Sequence, residues 1–126
     1  MKLTKENIMK AMAENNEYEF FGLRHDEHAY SIGEEVSNSH QWYQDDPAAW
    51  GEDLPYIEEL GLWDGGELGG TCAVAIDGVD GIEKAMKAAN KYDGSHLYLI
   101  ASHEAWGGND YGEVIMPDAI VVAEFH

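Results

Sequence analysis

Apolar residues recur along this chain with two different periods, and the changes of period mark its elements. Leu3, Ile8, Met9 and Met12 fall at helical spacing around Thr4. Leu3 and Ile8 are placed as a hydrophobic staple about a threonine N-cap, which predicts a first helix ending at Asn15-Asn16. Residues 18–24 are rich in aromatic side chains and predict a strand. A turn over 25–28 and a weaker strand over 29–36 follow. Residues 71–76, Thr-Cys-Ala-Val-Ala-Ile, read as a buried strand. Asp80, with Glu83 three residues on, reads as the capping-box start of a second helix. Ile82, Ala85, Met86 and Ala89 form its apolar face, and Lys84, Lys87 and Lys91 lie on another side. Lys91 suits the negative end of the helix dipole, and Asp93-Gly94 is the stop. Strands are expected over 96–101, 113–116 and Ala119–Phe125, the last two joined at Pro117-Asp118 by a hairpin or a bend.

Between Ser37 and Gly70 the periodicity fades. This stretch holds Trp42, Trp50 and Trp63, three of the chain's four tryptophans, together with Pro47 and Pro55. A structureless segment of this length is uncommon inside a compact domain. Short helical turns are therefore expected at Pro47–Trp50 and 55–60, each with proline at its first position and pinned by aromatic anchors. The element order predicts an α+β fold: a curved, mostly antiparallel sheet of five or six strands with two main helices packed on it. A length of 126 residues, 44% of them hydrophobic, suits one domain spanning 1–126 with one core.

Charge changes the picture more than composition does. The net charge is −18, and the fifty-nine residues between Arg24 and Lys84 contain fifteen Asp and Glu and not one Lys or Arg. Five acidic doublets lie within them: Asp26-Glu27, Glu34-Glu35, Asp45-Asp46, Glu52-Asp53 and Glu58-Glu59. Adaptation to high salt also produces acidic proteins, but it usually spreads the charge evenly. Here the bases are segregated at Lys2, Lys5, Lys10 and Arg24 and at Lys84, Lys87 and Lys91. Such a surface repels phosphate and nucleic acid and attracts basic partners. A non-enzymatic binding protein is expected. Its face is centred on residues 26–67, with Glu34, Glu35, Asp45, Asp46, Glu52, Asp53, Glu58 and Glu59 supplying charge. Trp42, Tyr43 and Trp50 supply aromatic hot spots.

Candidate chemistry is sparse. Cys72 is the only cysteine, so no intrachain disulfide can form, and its small apolar surroundings in sequence point to a packed thiol and not a nucleophile. His25-Asp26-Glu27-His28 offers an His-x-x-His pair, and His25 and His28 are the candidate ligands for a divalent metal such as zinc. Carboxylate pairs are so abundant that their spacing alone does not point to glycoside hydrolysis. No phosphate-binding glycine loop, dinucleotide fingerprint, serine elbow or EF-hand loop is present. The polar start of the chain lacks a signal-peptide core, and no apolar run reaches membrane-spanning length. A soluble protein of the cytoplasm is expected.

Two resemblances add to this reading. Phe20-Phe21-Gly22-Leu23-Arg24, Gly70-Thr71-Cys72-Ala73 and Glu113-Val114-Ile115-Met116-Pro117 resemble three strand segments of ADP-ribosyltransferases. That resemblance implies an NAD-using alternative, with Arg24 on the NAD diphosphate, Thr71 supporting the site and Glu113 catalytic. In profile, a small and very acidic single domain without a catalytic constellation resembles phage and mobile-element inhibitor proteins. Anti-CRISPR proteins and other DNA mimics are the best-known groups. That resemblance implies a basic nucleic-acid-binding partner such as a CRISPR effector, and the cytoplasm of a host cell as the place of action.

Overall fold

The computed structural model describes residues 1–36, 42–43, 45–59, 61–64, 72–91, 94–104, 107–108, 114–115 and 118–126. Its helices are α1 (Lys5–Glu14) and α2 (Ile82–Ala89). Its strands are β1 (Phe20–Asp26), β2 (Glu35–Val36), β3 (Trp42–Tyr43), β4 (Tyr56–Ile57), β5 (Leu62–Asp64), β6 (Cys72–Ile76), β7 (His96–Ser102), β8 (Gly107–Gly108), β9 (Val114–Ile115) and β10 (Ala119–Phe125). Five strands form an open sheet in the order β2-β10-β7-β1-β6, with every neighbouring pair antiparallel. A three-stranded sheet, β3-β5-β4, and a two-stranded one, β8-β9, accompany it. The expected α+β class is the one observed. No helix among the described residues is long and apolar enough to cross a membrane.

Both faces of the main sheet are buried. Phe21, Leu23, Val74, Ile76, Leu97 and Leu99 alternate onto the face covered by Ile8 and Ala11 of α1 and by Ile82, Ala85, Ala88 and Ala89 of α2. Ala73, Tyr98, Ile100, Ala119 and Val121 form the core on the opposite face, with Val36 and the half-buried Phe20 and Tyr30 against them. Strict alternation would put Val121 and Ala123 on one face. A register shift between them, a β-bulge, instead sends Val121 to the second core and Ala123 to the first.

The helix starts test local signals. Thr4 caps α1 as expected, its Oγ1 accepting from the Asn7 amide at 3.1 Å. We expect Thr4→Ala to cost about 1 kcal/mol, measurable as a lower urea midpoint. Met9, expected on the apolar side, is exposed instead. Asp80 does not cap α2. It lies in a 3₁₀ turn over Val79–Gly81, and α2 begins at Ile82 without a side-chain cap bond. Gly78, at φ 70°, starts that turn, and the Gly81 amide donates to the Gly78 carbonyl at 3.1 Å. The positive φ there suits glycine.

Other elements differ from expectation too. Residues 29–36 yield only the two-residue β2, because the backbone there serves the edge of β10. Gly33 N donates to Val121 O at 2.8 Å, and Val121 N donates to Glu34 O at 3.0 Å. Pro47–Trp50 is the expected short helical turn, of 3₁₀ type. The helical turn expected over 55–60 is not seen over the described residues 55–59: Tyr56 and Ile57 pair with Trp63 and Leu62 as a β-hairpin. The β9 and β10 strands do not form a hairpin either, since β9 pairs with β8 and β10 with β7 and β2.

Candidate functional site

The three-stranded sheet sorts its side chains by the period of two. Ile57 is buried in the main core, Leu62 packs against it, and Asp64 is fully buried. The alternate residues lie on the other side. Tyr43 sits opposite Trp63 in one ladder, and Trp63 sits opposite Tyr56 in the next. The three rings therefore form a row across β3, β5 and β4. Tyr56 and Trp63 are 4.7 Å apart between ring centroids and tilted at 55°. Trp50 extends the row from the 3₁₀ turn, edge-on to Tyr43 at 5.8 Å. Trp50 is 46% exposed and Tyr56 49% exposed, so each is about half open to solvent. Tyr43 and Trp63 are intermediate.

Exposed carboxylates lie in the segments that connect this row. Asp45 and Asp46 lie between β3 and Trp50, Glu52 and Asp53 between Trp50 and β4, and Glu58 follows β4, all exposed. Their positions have local causes. Asp46 Oδ1 accepts from the Ala48 amide at 3.0 Å and caps the 3₁₀ turn. Gly51, at φ 84°, closes that turn. The Asp64 amide donates to the Pro55 carbonyl at 2.8 Å and holds the outgoing segment against β5. A cleft of about 380 Å³ adjoins the base of this sheet, lined in part by Glu59, Leu62, Asp77, Asp80 and Lys84.

The expected acidic face is thus only partly assembled. Asp26 is not a surface charge: it is 4% exposed, and its Oδ2 accepts from Arg24 Nε at 2.9 Å. Glu34 and Glu35 are exposed but lie at β2, one edge of the main sheet. The three-stranded sheet packs by β6, at the other edge: Leu62 and Glu59 share a cleft with Ala75 and Asp77. Glu59 is turned inward, its carboxylate 3.6 Å from Lys91 Nζ, and so fastens the β4–β5 loop beyond the end of α2. What lies on this sheet and its connecting segments is Tyr43, Asp45, Asp46, Trp50, Glu52, Asp53 and Glu58. Trp42 pairs with Asp64 in the ladder. Tyr56 was not among the expected hot spots, because a proline-led helical turn hid its strand register.

The other candidate residues are placed differently. Arg24 is 5% exposed on the second face of the main sheet. Its Nε and Nη2 both reach Asp26 Oδ2 at 2.9 Å. A guanidinium so enclosed and neutralised does not present itself to a diphosphate. Thr71 and Glu113 lie outside the described residues. His25 lines a cleft of about 510 Å³ at the end of the main sheet, with His96, Glu124 and His126 among its neighbours. His28 is exposed and packs edge-on to Tyr30 at 4.6 Å. Among the described residues, no three His, Cys, Asp or Glu side chains are grouped to hold a metal ion. The side chain of Cys72 lies outside what is described. No protein-family model, curated protein or solved structure matches this chain.

Proposed function

We propose that this chain is a non-enzymatic binding protein that sets an acidic, aromatic face on the basic surface of a nucleic-acid-handling protein. The observation that supports this most is the row Trp50–Tyr43–Trp63–Tyr56, with Trp50 and Tyr56 about half open to solvent and with the exposed Asp45, Asp46, Glu52, Asp53 and Glu58 in its connecting segments. Exposed Trp and Tyr are the side chains that dominate protein interfaces, since each brings a large rigid surface. The carboxylates steer a basic partner and penalise acidic ones. Carboxylates along a surface can stand in for backbone phosphates and release the same counterions from a basic groove. Occupying the DNA- or RNA-binding groove of a CRISPR effector is the form of this reading that the sequence profile favours.

Immobilised protein should capture basic nucleic-acid-binding proteins from a lysate at ~50 mM salt and release most of them by ~300 mM. Added double-stranded DNA should displace the same proteins, because it competes for the same groove. Capture that survives high salt and excess DNA would count against the reading.

A further inference from the structure

The aromatic row supports a finer reading, which rests on the binding function proposed above: we propose that it selects arginine over lysine in an extended segment of the partner. The rings of Tyr43, Trp63 and Tyr56 cross three adjacent strands, so the row spans roughly 10 Å between its outer strands, twice the usual strand spacing. Residues three apart in an extended peptide are separated by roughly 9–10 Å. Two arginines at that spacing reach Tyr43 and Tyr56 on the outer strands.

The chemistry of the rim favours guanidinium. An arginine head is planar and weakly hydrated, so it stacks on an aromatic face while its N–H fork remains free for a carboxylate at the ring's edge. Asp45, Glu52, Asp53 and Glu58 supply exposed carboxylates in the segments that join the strands and turn carrying these rings. A lysine ammonium is a compact, strongly hydrated point charge. It gains from the acidic field but little from the rings. The complementarity is with something outside the chain. Arg24 is its only arginine and is buried against Asp26, and Lys91 is engaged with Glu59.

The test uses two peptides of equal length and charge, one of Arg-Gly-Gly repeats and one of Lys-Gly-Gly repeats, titrated by calorimetry at ~50 mM salt. The arginine peptide should bind about 5–10-fold more tightly. The double variant Trp50→Ala/Tyr56→Ala, checked for native circular dichroism, should lose that preference and bind the two peptides equally. Equal affinities in the native protein, or a preference that survives the double variant, would overturn the selectivity. Failure of both peptides to bind would overturn the binding function as well.

Discussion

Replacing Asp26 with alanine is expected to lower the unfolding free energy by about 3–5 kcal/mol. The reason is what it leaves behind. Arg24 is enclosed within the sheet's second core, beside Tyr98 and Ala73 in the ladders, and its guanidinium meets Asp26 through Nε and Nη2, both at 2.9 Å. Without the carboxylate, a buried cation loses its main counter-charge. The His28 amide also loses its acceptor, since Asp26 Oδ1 takes its hydrogen at 2.8 Å. That bond turns the chain at the end of β1 and sets up the next anchor. There the Tyr30 amide donates to the hydroxyl of the fully buried Tyr98 at 2.8 Å. Removing both charges is a different experiment. Arg24→Met with Asp26→Leu leaves no buried ion at these two positions, so it should cost about 2 kcal/mol less than the single change. Equilibrium urea denaturation of both variants reads the difference. A single variant that loses under ~1 kcal/mol would mean the pair behaves as a surface bridge.

This pair also shows why part of the fold was legible in the sequence and part was not. Local signals held where a few adjacent residues decide the outcome. The Thr4 cap, the proline-led turn at Pro47–Trp50 and the strand at Ala119–Phe125 are of that kind. They failed where backbone pairing overrode a local preference. Asp80 and Glu83 have capping-box spacing, but Gly78 turns the chain into a 3₁₀ segment that takes up Asp80, and the helix starts at Ile82 with Glu83 already in its first turn. Pro55 looks like a helix start, yet Tyr56 and Ile57 find partners in Trp63 and Leu62 across the turn at Gly61. Gly61 sits at φ 67° with its amide on the Ile57 carbonyl at 2.9 Å.

The candidate face was legible as a composition and not as a surface. Charge counting treats Asp26, Glu35, Glu52 and Glu59 alike. Folding separates them into a core ion pair, a far sheet edge, an exposed rim and a strut to Lys91. Sequence cannot make that division, because it depends on which strand becomes the neighbour of which. Tyr56 joined the face for the same reason: only the β4–β5 register puts its ring beside Trp63.

The largest functional effect should follow from reversing the charge of the rim. Changing Asp45, Glu52, Asp53 and Glu58 to lysine spares the Asp46 cap and the Glu59–Lys91 contact, so the fold should persist. All four are exposed, and single surface substitutions of this kind usually shift stability little. Binding should fall by about 100-fold or more, since like charges then face a basic groove across the aromatic row. A matched control reverses Glu14, Glu17, Glu19 and Glu104, which are equally exposed and lie outside this sheet and its connecting segments. It has the same net charge as the rim variant. The most direct measurement compares the two variants and the native protein, side by side, in capture of basic nucleic-acid-binding proteins across a salt gradient. The expected result is capture lost in the rim variant and largely kept, at a somewhat lower eluting salt, in the control. Equal loss in both variants would mean that bulk charge is responsible, and full capture by the rim variant would mean that the partner binds elsewhere. Either outcome contradicts the assignment of function to this face.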